Sequence, residues 1–166
     1  LLAAGSPVEK CGPVAISLEK NLPIASGVGG GSSDAAAAAI LLSRLWQLDL
    51  DEEELRSLTR QLGADVPMCV AARPLIARGT GEELHPVKLP RLHLVLVNPG
   101  EPLATPAVFK ALERKDNPAL PSLPDLNTQA EVIAWLKTTR NDLEQPSSRL
   151  LPSIRTALSE LSAEGA

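Results

Sequence analysis

Four of the eleven glycines in this 166-residue chain fall within five positions, Gly27-Val28-Gly29-Gly30-Gly31, and Ser32-Ser33-Asp34 follow at once. Successive glycines let the backbone take φ > 0 and come close to a ligand. Their N–H groups can form a concave nest for an anion. A helix starting at the serines adds free N–H donors and about half a positive charge. The two hydroxyls can bond phosphate or a phosphate-bound metal. Gly27 to Asp34 therefore reads as a cradle for a polyphosphate. Two common phosphate loops do not fit. A Walker A loop needs Gly-Lys-Ser/Thr, and no lysine lies between Lys20 and Lys88; a dinucleotide fingerprint needs glycine where Ser32 or Asp34 stands. The plainer alternative is a flexible loop before an ordinary cap, but three adjacent glycines then cost entropy and pack nothing. A second candidate, Asp65, precedes Val66-Pro67, where a turn-forming Asp is the ordinary reading. His85 and His93 have no partners at ligand spacing.

The elements that must position these groups follow from pattern. Val14 to Lys20 nearly alternates and predicts a strand; Ser32 or Ser33 caps a helix running to Leu48, with Asp34 in its first turn. Asp51 and Glu54 have capping-box spacing, Leu55, Leu58 and Leu62 form an apolar stripe, and Gly63 suits the C-terminal cap. Arg73 to Pro90, with Gly79 and Gly81, reads as a hairpin, and Leu92 to Val97 as a buried strand. Thr105 and Pro106 suit the start of a helix through Glu113. Arg114 to Leu126 is a Pro-rich loop. Further helices are expected over Asn127 to Lys137 and Ser148 to Leu161, the last interrupted near Pro152. A boundary between two lobes falls near His85 to Pro90.

Composition narrows the function. The chain is 44% hydrophobic and 22% charged, ordinary for a folded globular protein. Sixteen Lys and Arg against twenty Asp and Glu leave no basic footprint for nucleic acid. Phe109, Trp46 and Trp135 are the only aromatics, too few for a base-stacking surface. The longest apolar run, Ala35 to Leu42, is far short of the ~20 residues of a membrane span. Cys11 and Cys69 make no disulfide framework and suit a cytoplasmic protein with reduced thiols.

The run Leu22-Pro23-Ile24-Ala25-Ser26-Gly27-Val28-Gly29-Gly30-Gly31-Ser32-Ser33-Asp34-Ala35-Ala36 resembles the ATP-binding motif of the GHMP kinase superfamily. Four further stretches match in order: Leu62 to Pro67, Ala77 to Glu82, Thr105 to Phe109, and Asn141-Asp142-Leu143-Glu144. Together they resemble the branch that phosphorylates the 2-hydroxyl of a cytidine-diphosphate-linked methylerythritol in the non-mevalonate isoprenoid pathway. The resemblance implies an α+β, two-lobed fold, with both lobes incomplete. An N-terminal lobe (1–86) would be similar to ribosomal protein S5 domain 2, and a C-terminal lobe (87–166) would be ferredoxin-like. It implies ATP with Mg2+ as cofactors. Pro23, Ala25, Ser26, Gly27, Val28, Gly29, Gly30, Gly31, Ser32 and Ser33 would bind ATP, and Ser32 and Ser33 could reach the metal. Asp65 would be the catalytic aspartate, and Thr105, Pro106 and Phe109 the cytidine-side wall. Phe109 could equally be a core residue of its helix.

The resemblance also points to missing parts. The family's N-terminal segment with a catalytic Lys and a Tyr-His pair has no counterpart, Lys10 being in the wrong context, and a C-terminal Gly-Ser-rich loop is not reached. The chain alone is expected to be weak or inactive, and its unpaired strand edges to favour aggregation. Two other readings remain open: a GHMP kinase acting on mevalonate, homoserine or a sugar, and a non-catalytic nucleotide-binding or RNA-binding module.

Overall fold

A computed structural model describes residues 11–21 and 27–165 of the chain. Helix α1 (Gly30–Leu45) starts directly after Gly29, whose left-handed backbone (φ 70°, ψ 17°) is the entry turn. A residue with a Cβ would be strained there. The expected serine cap is therefore corrected: Ser32 and Ser33 lie inside the helix, and no side chain caps it. Asp34 lies just beyond the first turn, which carries no acid. Helix α2 (Glu52–Thr59) opens on the expected capping box. The Asp51 carboxylate accepts from the Glu54 N–H and the Glu54 carboxylate from the Asp51 N–H, both at 2.8 Å. A 3-10 turn (Arg60–Leu62) continues α2 and ends at Gly63. Helix α3 (Val66–Ala71) follows, with Pro67 in its first turn, where the missing N–H costs nothing.

These three helices share one core. Ala36 and Ala39 from α1, Leu55 from α2, and Val66 and Val70 from α3 are buried together, with Ile40, Leu50 and Cys69 packed around them. The small residues of α1 let α3 approach closely. Strands β1 (Leu75–Arg78) and β2 (Glu83–Pro86) pair antiparallel, Leu75 opposite Pro86 and Arg78 opposite Glu83, as the hairpin pattern predicts.

The described residues form two compact units, 11–21 with 29–88 and 27–28 with 89–165. In the second, α4 spans Thr105–Lys110, shorter than expected, with Ala104 at the N-cap position and Thr105 inside. Helix α5 (Gln129–Leu136) has its own capping box between Thr128 and Glu131. The N–H groups of Asn127 and Thr128 hold the Glu131 carboxyl below its ordinary range. Helices α6 (Glu144–Leu150) and α7 (Pro152–Ala163) pack on each other, broken at Leu151 because Pro152 cannot continue a helix. The Pro-rich segment is irregular, yet Leu126 is buried and the Ser122 carbonyl accepts from Trp135 Nε1 at 3.2 Å.

Two expected strands are absent. Residues 14–20 and 92–97 have no regular structure, and Leu94, Val95 and Leu96 are 77–81% exposed rather than buried. A strand exists only through hydrogen bonds to a neighbour. Among the described residues, β1 and β2 make the only sheet, so an apolar run without a partner stays open. Also among the described residues, no helix is long and apolar enough to cross a membrane.

Candidate active site

Two features with chemical potential sit on helices of the first unit, the α1 N-terminus and Asp65. The N-terminus of α1 opens straight from the glycine run. The first intrahelical donor is the Ser33 N–H, to the Gly29 carbonyl at 2.9 Å. The N–H groups of Gly30, Gly31 and Ser32 precede it and have no acceptor within the helix. With no capping side chain, these donors face outward at the positive end of the dipole. Gly31 and Ser33 are exposed, Gly30 and Ser32 half-buried. Gly27 also has a positive φ, 75°. The expected contacts at Pro23, Ala25 and Ser26 lie outside the described residues.

Sequence reasoning passed over Lys20. Its ammonium bonds the Asp34 carboxylate, fourteen residues on. The same Nζ is 3.4 Å from where a Cβ on Gly30 would stand. A cation is thus held at the α1 N-terminus, although no lysine lies within the glycine motif. Nothing in local periodicity signals this pair, because the glycine loop lies between its members.

Asp65 occupies the N-cap position of α3 but makes no cap bond, and it is exposed. Its carboxylate is free of hydrogen bonds and ion pairs among the described residues. Its charge acts on Cys69, whose N–H reaches the Asp65 carbonyl at 3.2 Å. Burial, and then the Asp65 charge, push the Cys69 thiol up, so this thiol stays protonated.

The hairpin turn positions the Asp65 loop. Gly81 (φ 98°) lies so close that a Cβ there would be 2.8 Å from the Ala64 carbonyl oxygen. Arg60 Nη2 donates to the Glu82 carbonyl at 3.1 Å. Glu82's own backbone N–H, then the Thr80 hydroxyl and N–H, hold the Glu82 carboxyl below its usual range. Gly81→Ala meets both a left-handed backbone and a backbone oxygen. We expect it to lower stability by about 1–3 kcal/mol, seen as a fall in the urea midpoint. An unchanged midpoint would show that the turn does not brace Ala64.

In the second unit, Thr105 and Pro106 open α4, and Phe109 is 52% exposed on it while Val108 is buried. The core reading of Phe109 is therefore wrong: α4 buries Val108 instead. Among the described residues, no group of three or more His, Cys, Asp or Glu could hold a metal.

Residues 2–73 match the GHMP kinases N terminal domain. Three curated relatives share one name. The chain is 54% identical over 155 residues to the 4-diphosphocytidyl-2-C-methyl-D-erythritol kinase of Chelativorans sp., covering 93% of this chain and 53% of that one. It is 55% identical over 154 residues to the enzyme of the same name from Mesorhizobium japonicum (92% and 52% covered). With that from Brucella abortus it shares 55% over 159 residues (93% and 53%). A crystal structure of 4-(cytidine 5'-diphospho)-2C-methyl-D-erythritol kinase superposes with a TM-score of 0.64 at 35% identity, covering 89% of this chain and 53% of that one. The chain spans about half the length of the curated relatives it matches.

Proposed function

We propose that the chain provides the ATP-phosphate cradle and the catalytic aspartate of a kinase that phosphorylates the 2-hydroxyl of 4-diphosphocytidyl-2-C-methyl-D-erythritol. The observation that carries this is the uncapped α1 N-terminus rising from a glycine run, on the same unit as an unpaired Asp65. The names of relatives at 54–55% identity support the substrate. In this reading residues 1–86 are the ATP-binding lobe and 87–166 the second lobe, both partial. The first is S5-domain-2-like and the second ferredoxin-like.

Gly27 to Ser33 hold the β- and γ-phosphates through backbone N–H groups, with Pro23, Ala25 and Ser26 lining the nucleotide. Lys20 adds positive charge beside the cradle, in place of a lysine within the motif. Mg2+ bound with ATP neutralises charge on the phosphate oxygens. The Ser32 and Ser33 hydroxyls would hold it. Asp65 orients the acceptor hydroxyl and takes its proton as that oxygen bonds the γ-phosphorus and the bond to the β-γ bridging oxygen breaks, with ADP leaving. Orienting the hydroxyl is most of the work, because a loose transition state asks for little early proton abstraction. Thr105, Pro106 and the exposed Phe109 face the cytidine. The protein acts in the cytoplasm on a small molecule, with no nucleic acid or membrane partner.

The test is ADP release by a chimera in which the Chelativorans relative supplies the residues beyond this chain. Turnover should need the cytidine-linked acceptor and fall when cytidine diphosphate competes. Turnover with mevalonate, homoserine or galactose instead, or none with any acceptor, would overturn the assignment. The 166-residue chain alone should fall well below the roughly 1–100 per second of ordinary kinases.

A further inference from the structure

The stretch Asn141-Asp142-Leu143-Glu144 has no place in the chemistry above, and three of its members have structural work. The Asn141 Oδ1 accepts from the Leu143 N–H at 3.0 Å, closing a turn. Asp142 accepts from Arg140 Nε at 2.8 Å, and that guanidinium holds its carboxyl below the usual range. Leu143 occupies the N-cap position of α6. The Glu144 carboxylate has no partner among the described residues. It lines a groove of about 370 Å³ along α6 and α7, together with Gln145, Ser148, Arg155, Ser159 and Ser162.

Three features make this groove more than a gap between helices. Arg155 forms no ion pair among the described residues, although Glu144 lines the same groove. Ser148 is only 7% exposed, and no described residue bonds its hydroxyl, which stays open to solvent in the groove. Ser159 and Ser162 add two more hydroxyls from α7. A guanidinium fork fits two oxygens of a tetrahedral anion. Serine hydroxyls donate to its remaining oxygens. A carboxylate repels a fully ionised anion but accepts a hydrogen bond from one that keeps a proton.

We propose that the groove between α6 and α7 binds inorganic phosphate, with Arg155 and the serine hydroxyls holding its oxygens and Glu144 accepting its P–O–H. Phosphate keeps a proton at neutral pH; sulfate has the same shape and none. The Glu144 carboxylate therefore selects phosphate over sulfate.

The experiment is an amide chemical-shift titration of the 166-residue chain at neutral pH and constant ionic strength, with sodium phosphate and, separately, sodium sulfate. Phosphate should give saturable shifts centred on residues 144–162, with sulfate weaker by about tenfold or more. Arg155→Gln, at an exposed position, should keep its far-UV spectrum and lose the phosphate shifts. Glu144→Gln should bring sulfate to the affinity of phosphate. Any one of three results overturns the proposal: no saturable phosphate shifts, equal binding of the two anions by the unsubstituted chain, or full phosphate binding by Arg155→Gln.

Discussion

Asp65→Asn, made in the Chelativorans chimera, is expected to lower ADP release by about two to four powers of ten while leaving ATP affinity nearly unchanged. The amide keeps the size and the N-cap position of the side chain, so α3 should start as before. It removes the charge that orients the hydroxyl and the base that accepts its proton. The α1 donors that hold the phosphates lie on another helix and are not touched. A second signal comes from Cys69. The Asp65 charge helps push its thiol up, and the substitution removes that contribution, so the thiol should titrate at lower pH. The thiol measurement can be made on the 166-residue chain. Unchanged turnover would remove Asp65 from its proposed role. A thiol that titrates lower as expected, with normal turnover, would show that the carboxylate is only an electrostatic neighbour.

Val66→Asp is expected to unfold the first unit. Val66 and Ala36 are each only 1% exposed, where α3 meets α1. A carboxylate there would be buried, unpaired and next to Asp65. An uncompensated buried charge costs about 3–5 kcal/mol, against a total stability of about 5–15 kcal/mol for a domain. Val66→Ala removes two methyl groups and leaves a cavity, so it should cost about 2 kcal/mol and remain folded. The pair is read by far-UV circular dichroism and urea midpoints. Val66→Asp with an unaltered midpoint would mean that the α1–α3 contact is not the core. The result also bears on function, since these two helices carry the proposed phosphate donors and Asp65.

The legible features were those whose causes lie within a few residues. The Asp51–Glu54 box joins residues three apart, and the hairpin is set by two strand runs and the glycines between them. The break at Pro152 follows from one ring. The uncapped start of α1 was legible as a place of free backbone donors because glycines advertise such a turn directly. Even there a local choice was misread. The helix starts from Gly29 in a left-handed turn rather than from a serine cap, because glycine can supply the entry turn by conformation alone.

What escaped the sequence depends on distant partners. Leu92 to Val97 has the composition of a buried strand, but burial and pairing belong to whatever lies beside it, and here no described strand does. Lys20 looked like the end of a strand. Only the fold brings its ammonium back to Asp34 and the α1 N-terminus. Gly81 looked like a turn residue, and its closeness to the Ala64 carbonyl appears only once the hairpin rests beside α3. The sequence by itself determined the Asp51 capping box, the break at Pro152, the hairpin and the glycine run from which α1 starts. The tertiary structure alone decided which cation lies beside the α1 N-terminus, which apolar residues are covered and what packs against the loop before Asp65. The physical reason is range: capping bonds and φ preferences act between near neighbours, whereas burial, charge pairing and strand pairing join residues that the chain separates.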